Sequence, residues 1–180
     1  MFNPLLVFKI KKAAGRLKLA AFLFIHFLNQ AAVMKLKQIS VPMENAYDRL
    51  YELTRALENE GVTPRALTLV DTGNYGVLRM LVPEVATVRQ ILMQKDIPGR
   101  VDDVVAVPID HTFGQLSVLI EKLRDADIKI KYSYATAGID RGKSVMEFCF
   151  DDNDEAIRVL TEKHIQPLDY NTIGMLEAAA

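Results

Sequence analysis

Two short stretches, 66 residues apart, carry the side chains best placed to do chemistry. The first is Glu44-Asn45-Ala46-Tyr47-Asp48-Arg49-Leu50; the second is Asp110-His111-Thr112-Phe113-Gly114-Gln115-Leu116. Each sets a carboxylate just ahead of an amphipathic segment, at what the pattern marks as a helix start. Asn45 is a good N-cap, and Asp48 three residues on can reach back in a variant of the capping box. A helix start leaves N–H groups free and carries the positive end of the dipole, which suits a small anion such as a carboxylate. A third stretch, Asp71-Thr72-Gly73-Asn74-Tyr75-Gly76, joins two strand-like runs and adds another carboxylate. The plain structural roles of these stretches are a helix cap and a hairpin turn.

Other chemistries find little support. A hydrolase needs a nucleophile beside a base, and no Ser or Cys lies in a recognisable elbow. The three histidines, His26, His111 and His164, have no paired ligand spacing, and there is no Cys-x-x-Cys loop. RNA recognition on a sheet needs aromatic residues on central strands and a basic surface. The central run Val77 to Val82 has no aromatic residue. Tyr132 and Tyr134 share one face of a later strand, where simple packing is the expectation. No segment reads as a helix-turn-helix. The sequence therefore predicts no enzyme, no cofactor, no metal site and no nucleic-acid partner.

The elements that must position these residues also occur twice. Gln38 to Gly61 reads as an alternating strand, a polar loop and an amphipathic helix, and Val104 to Asp127 repeats it. Val41 and Pro42 fall on Val107 and Pro108; Leu50, Leu53 and Leu57 fall on Leu116, Leu119 and Leu123. A repeat of this kind is one supersecondary unit made twice. In the first unit the spacing predicts strand 35–43, a helix closed by Gly61, and strands 63–71 and 77–82. A helix opening at Pro83 and Glu84 and a short strand 97–101 complete it. Arg79 stands in the middle of an apolar run, where it can snorkel, pair with an acid or touch a ligand. The second unit gives strand 104–109, helix 113–125, strand 128–135, hairpin 138–143, strand 144–150, helix 153–163 and a last strand near 165–168. Asp127 stands where Gly61 stood, a weaker helix stop. The order is βαββαβ twice, an α+β, ferredoxin-like arrangement with helices on one sheet face. Two such units can dock edge to edge or face to face to bury the other face, and the short join predicts one body.

Composition is that of an ordinary globular domain: 180 residues, half of them hydrophobic, with a net charge of -1. One cysteine, Cys149, cannot form an internal disulfide, so a reducing cytoplasm is the expected setting. Residues 1–33 stand apart, with five basic residues and no acid. They read as a leader or a misassigned upstream segment, with a signal peptide or a basic membrane-surface helix as alternatives. The apolar run there is too short and too charged to cross a membrane. Met34 is a natural start, and no membrane contact is expected for 34–180. The expected divisions are 1–33, a first unit at 34–102, a second at 103–169, and a tail at 170–180.

The pattern resembles the ACT domains, small-molecule sensing modules of amino-acid metabolism. Their strand, Asn/Asp-x-Pro-Gly-x-Leu loop and helix match the two corner stretches. The run Ala66 to Arg79, with its Asp71-Thr72 and Tyr75-Gly76-Val77-Leu78-Arg79, looks closer still to stand-alone tandem ACT proteins of bacteria. The resemblance covers roughly 35–168. It departs at the Pro-Gly of the loop, which is Tyr47-Asp48 in the first copy and Phe113-Gly114 in the second. It implies a non-catalytic regulatory module that binds a free amino acid or related small metabolite at the strand–loop–helix corners between the units. The implied contacts are Glu44, Asn45, Asp48, Arg49 and Leu50 in the first corner, and Leu69, Asp71, Thr72, Asn74, Tyr75 and Gly76 beside it. In the second corner they are His111, Gly114, Gln115 and Leu116. A carboxylate would sit at a helix start and an ammonium on strand carbonyls or Asp71. Two degenerate sites, or one composite site between the copies, both fit. The alternative, raised by resemblance to acetolactate synthase small subunits, is a regulatory or structural subunit with vestigial ligand sites. It would associate with itself as a dimer or with a biosynthetic enzyme.

Overall fold

The computed structural model describes residues 31–44, 46–73, 75–140, 143–169 and 172. The chain divides into two units, 1–33 and 34–180. Of the first, only 31–33 are described, and they are helical. The second unit contains β1 (Lys35–Met43), α1 (Ala46–Asn59), β2 (Ala66–Asp71), β3 (Gly76–Leu81), α2 (Val85–Gln94), β4 (Arg100–Asp110), α3 (Gln115–Asp125), β5 (Ile130–Asp140), β6 (Lys143–Phe150) and α4 (Asn153–Glu162).

All six strands form one antiparallel sheet in the order β2-β3-β1-β4-β6-β5. The two copies therefore join edge to edge through β1 and β4. Their pairing sets Lys35 opposite Val105 and Ile39 opposite Val101. Shifting each residue by the repeat of 66 turns one pair into the other, so an internal twofold relates the copies. It passes through the pair Lys37 and Asp103, whose side chains meet at 2.5 Å.

The expected short fourth strand of the first copy is not a separate element. It begins at Arg100 and runs unbroken into the first strand of the second copy, so β4 serves both and the division at 102/103 falls inside it. The expected last strand near 165–168 shrinks to a single bridge between Leu168 and Ala106. The reason is room: β1 occupies that edge of β4 up to Val105, and Leu168 takes the next place, donating to the Ala106 carbonyl at 2.8 Å.

Each helix ends with the same hydrogen bond. Val62, Ile97, Ile128 and Ile165 donate to the carbonyls of Leu57, Leu92, Leu123 and Leu160 at 2.8–2.9 Å. The residue before each donor has positive φ: Gly61, Asp96, Asp127 and His164. This left-handed cap satisfies carbonyls that a helix end leaves free. Only Gly61 adopts it without a Cβ penalty.

Alternation along the strands separates two buried faces. Ile39, Val41, Met43, Leu78 and Met80 face outward against Leu53, Leu57, Val88, Ile91 and Leu92 of α1 and α2. The other face holds Leu36, Ala66, Leu81, Val104, Ala106, Val145 and Cys149, with Tyr132 and Tyr134 against them. It is buried because the sheet curls until its edge strands β2 and β5 come into contact. The Arg79 guanidinium lies 3.9 Å above the ring of Tyr132. β3 and β5 would be roughly 19 Å apart in a flat sheet with strands about 4.8 Å apart, so this contact requires the curl.

Candidate ligand-binding corners

The two corners lie at opposite ends of the sheet. β1 and β4 are antiparallel, and Met43 extends past the Ser40–Arg100 pair at one end while Asp110 extends past Lys35–Val105 at the other. They are separated by roughly 40 Å of strand at about 3.3 Å per residue. A composite site built from both corners of one chain is therefore ruled out. Each corner stands alone.

At the first corner, Met43 pairs with Gly76 and Asp71 pairs with Gly76 from the other side, so the loop after β1 and the β2–β3 hairpin are neighbours. The hairpin satisfies itself. Asp71 accepts the Gly73 N–H at 2.8 Å, and Thr72 donates its N–H and hydroxyl to the Tyr75 carbonyl at 3.1 and 2.8 Å. Gly76 answers to packing: a Cβ there would meet Met43 Cβ and the Met43 carbonyl at 3.2 Å. Leu50 and Leu69 pack against the helix-side core rather than standing free. Glu44 and Asp48 are exposed and Arg49 is half-buried. Asn45 and Asn74 lie outside the described residues.

The second corner is more open. Gly114 holds φ 84 at the N-cap of α3, and Val118 N–H bonds its carbonyl at 2.9 Å. His111 Nε2 lies 2.6 Å from Ser144 Oγ, which ties the loop to β6. Gln115 and Leu116 are exposed. Beneath the helix lies a pocket of about 100 Å³. Its apolar wall is Val107, Pro108, Ile109, Val118, Leu119 and Ile165; its polar rim is Asp110, Gln115 and Lys122. Of the expected contacts only Gln115 lines it. Lys122, which lines it too, was not among the expected contacts, although Gln115, Val118, Leu119 and Lys122 follow helical spacing and must share a face. Asp110 was visible as the counterpart of Glu44. It pairs with Lys143, at 3.7 Å.

The structure also places a polar chain on the enclosed sheet face, which no motif indicated. Tyr134 donates to Gln38 Oε1 at 2.7 Å, and Gln38 Nε2 donates to Tyr132 OH at 2.8 Å and to Ser40 Oγ at 3.0 Å. Ser40 donates to Asp102 at 2.8 Å. Tyr132 and Tyr134 thus do more than pack: they bind the second copy to the first. Burial pushes the Tyr134 hydroxyl above its ordinary value, with Glu147 adding to the effect and Arg79 opposing it.

Two antiparallel copies of a strand–helix–strand–strand–helix unit sharing one sheet define a duplicated, ferredoxin-like fold. The chain belongs to the ACT domain pair family, which matches residues 34–176. ACT domains are regulatory modules. Among solved structures, a Bacteroides thetaiotaomicron protein is similar with a TM-score of 0.72 and 26% identity, over 78% of this chain and 96% of that one. The regulatory subunit of aspartate kinase from Thermus thermophilus shares the fold, with a TM-score of 0.50 and 12% identity over 72% of this chain and 92% of that one. A structure of aspartokinase α and β subunits does so with a TM-score of 0.50 and 14% identity, over 70% and 90%. No curated protein matches the chain. Among the described residues, no helix is long and apolar enough to cross a membrane.

Proposed function

We propose that this chain is a non-catalytic sensor that binds a free amino acid or a related small zwitterion, and that the second corner is its site. The observation that carries this reading is the pocket under α3, with Asp110 and Lys122 on its rim and an apolar wall. Opposite charges suit the ammonium and carboxylate of one small molecule, and the start of α3 adds free N–H groups. A volume of about 100 Å³ favours a short aliphatic side chain. The first corner, whose hairpin groups already bond one another, serves the fold.

The test is thermal stability of the full chain against a panel of free amino acids. A ligand at about 100 times its Kd adds about 2.7 kcal/mol, a shift of several degrees. Asp110→Asn and Lys122→Met should abolish the shift, and Asp71→Ala should keep it. A shift lost in Asp71→Ala and kept in the other two would move the site to the first corner.

A second reading, association as a subunit, is favoured by one observation. Phe113, Leu116 and Ile120 form an exposed stripe along the start of α3, and Tyr47 and Tyr51 stand exposed in the matching region of α1. A flat amino-acid panel together with a concentration-dependent mass in sedimentation would favour it.

A further inference from the structure

Glu147 is the one charged residue fully buried among the described residues, at 1% exposure. One carboxyl oxygen accepts from Thr136 Oγ1 at 2.8 Å; the other, Oε2, is buried without a hydrogen-bond partner. Glu147 makes no ion pair among the described residues. Its neighbours on the enclosed face are Tyr134 on β5 and Ala106 on β4, with Val145 and Cys149 along its own strand.

The internal repeat supplies the counterpart. In the first copy, Ser40, Arg79 and Thr68 lie abreast on β1, β3 and β2; in the second, Ala106, Glu147 and Tyr134 lie abreast on β4, β6 and β5. Arg79 and Glu147 thus hold the same place in the two copies, on one enclosed face, with opposite charge. Arg79 Nε is also buried without a hydrogen-bond partner, and its guanidinium rests on Tyr132 instead of on an acid. The nearby Asp102 is already engaged by Arg100 at 2.8 Å and by Ser40.

We propose that Arg79 and Glu147 form a proton-operated latch inside the curled sheet. With Glu147 protonated, Arg79 stays on Tyr132, as in this structure. When Glu147 loses its proton, the carboxylate draws the guanidinium off the tyrosine into an ion pair that crosses between the copies. A bare carboxylate in this apolar enclosure is costly. Arg79, whose Nε is buried without a partner, acts on Tyr134 from one side as Glu147 does from the other, whereas Lys143 on the same face is exposed and paired with Asp110. The groups that share the enclosed face with Glu147 decide where this happens. From β5 these are Tyr132, Tyr134 and Thr136; from β3, Arg79; from β4, Arg100, Asp102 and Asp110; and from β6, Cys149 and Lys143, the last paired with Asp110 at 3.7 Å. β1 and β2 add only the uncharged Gln38, Ser40 and Thr68. Burial pushes the Glu147 carboxyl up to about 7, against the smaller pull of its Thr136 hydrogen bond, so the latch would work near neutral pH.

The chain has six tyrosines and no tryptophan, so the difference in near-ultraviolet circular dichroism between the unaltered protein and Tyr132→Phe reports on Tyr132. Titrating the folded full chain from pH 5 to 9 should give a one-proton transition near pH 7. Glu147→Gln, which keeps the shape, should remove it. Arg79→Met should raise its midpoint by about a unit, because the carboxylate loses its partner, and Arg79→Lys should restore much of the shift. A transition that survives in Glu147→Gln, or a midpoint indifferent to Arg79→Met, would overturn the latch. So would a flat signal across this range in the unaltered protein.

Discussion

The two copies agree on the path of the chain and disagree on its charges. Both build a strand, a helix with leucines every three or four residues, and a hairpin, and both end the helix with the same left-handed cap. They differ where a side chain is free of that work. The first corner's hairpin closes on itself through Asp71 and Thr72, while the second leaves Asp110 and Lys122 on the rim of a pocket. The enclosed face carries Arg79 in one copy and Glu147 in the other. The elements answer to local geometry and apolar spacing, so duplication reproduces them. The polar positions answer to what lies across the internal twofold, where the surroundings differ.

The comparison is most sharply broken at the chain of hydrogen bonds that joins the copies. Gln38→Leu removes the acceptor of Tyr134 and the donor to Tyr132 and Ser40. It should destabilise the protein by about 2–4 kcal/mol, read from urea denaturation. Next comes Glu147. Its carboxyl is held up to about 7 in the folded chain against an ordinary value of 4.5. The folded state therefore holds a proton that the unfolded state has lost between those values. Stability from this group is complete below about pH 4.5, falls as pH rises to about 7 and is flat above, by up to about 3 kcal/mol. Melting points across pH 4–8 should show this fall, and Glu147→Gln should flatten it.

Smaller effects separate the copies at their helix stops. Gly61→Ala forces a Cβ into the left-handed region and should cost about 1 kcal/mol. Asp127→Gly, at the matching position with φ 55, should instead add about 0.5–1 kcal/mol. Opposite signs in paired melts would confirm that, at this cap, the strain lies in the second copy. The smallest effect belongs to Lys37→Ala. Although it sits on the twofold beside Gln38, its pair with Asp103 is solvated, with 55% of the lysine side chain exposed. A loss under about 1 kcal/mol is expected.

Much of this molecule was legible in the sequence. β1 runs 35–43 as its alternation predicts, and Gly61 ends its helix as expected. The ACT resemblance fits the family match. These features rest on periodicity and on bonds between residues five apart, which a linear reading captures. Of the polar residues that line the pocket under α3, Asp110 and Gln115 stand in the loop motif, whereas Lys122, a full two turns along α3, does not.

What the tertiary structure alone decided begins with one register. Pairing β1 with β4 joins residues about 65 positions apart, and nothing local sets which residue faces which. That register merges two expected strands into β4, sends the corners to opposite ends, and sets Gln38 and Ser40 within reach of Tyr132, Tyr134 and Asp102. The curl then encloses Arg79 and Glu147 on one face. On their own strands both read as ordinary charges in apolar runs. Their burial depends on strands from the other copy, so only the closed sheet could disclose it.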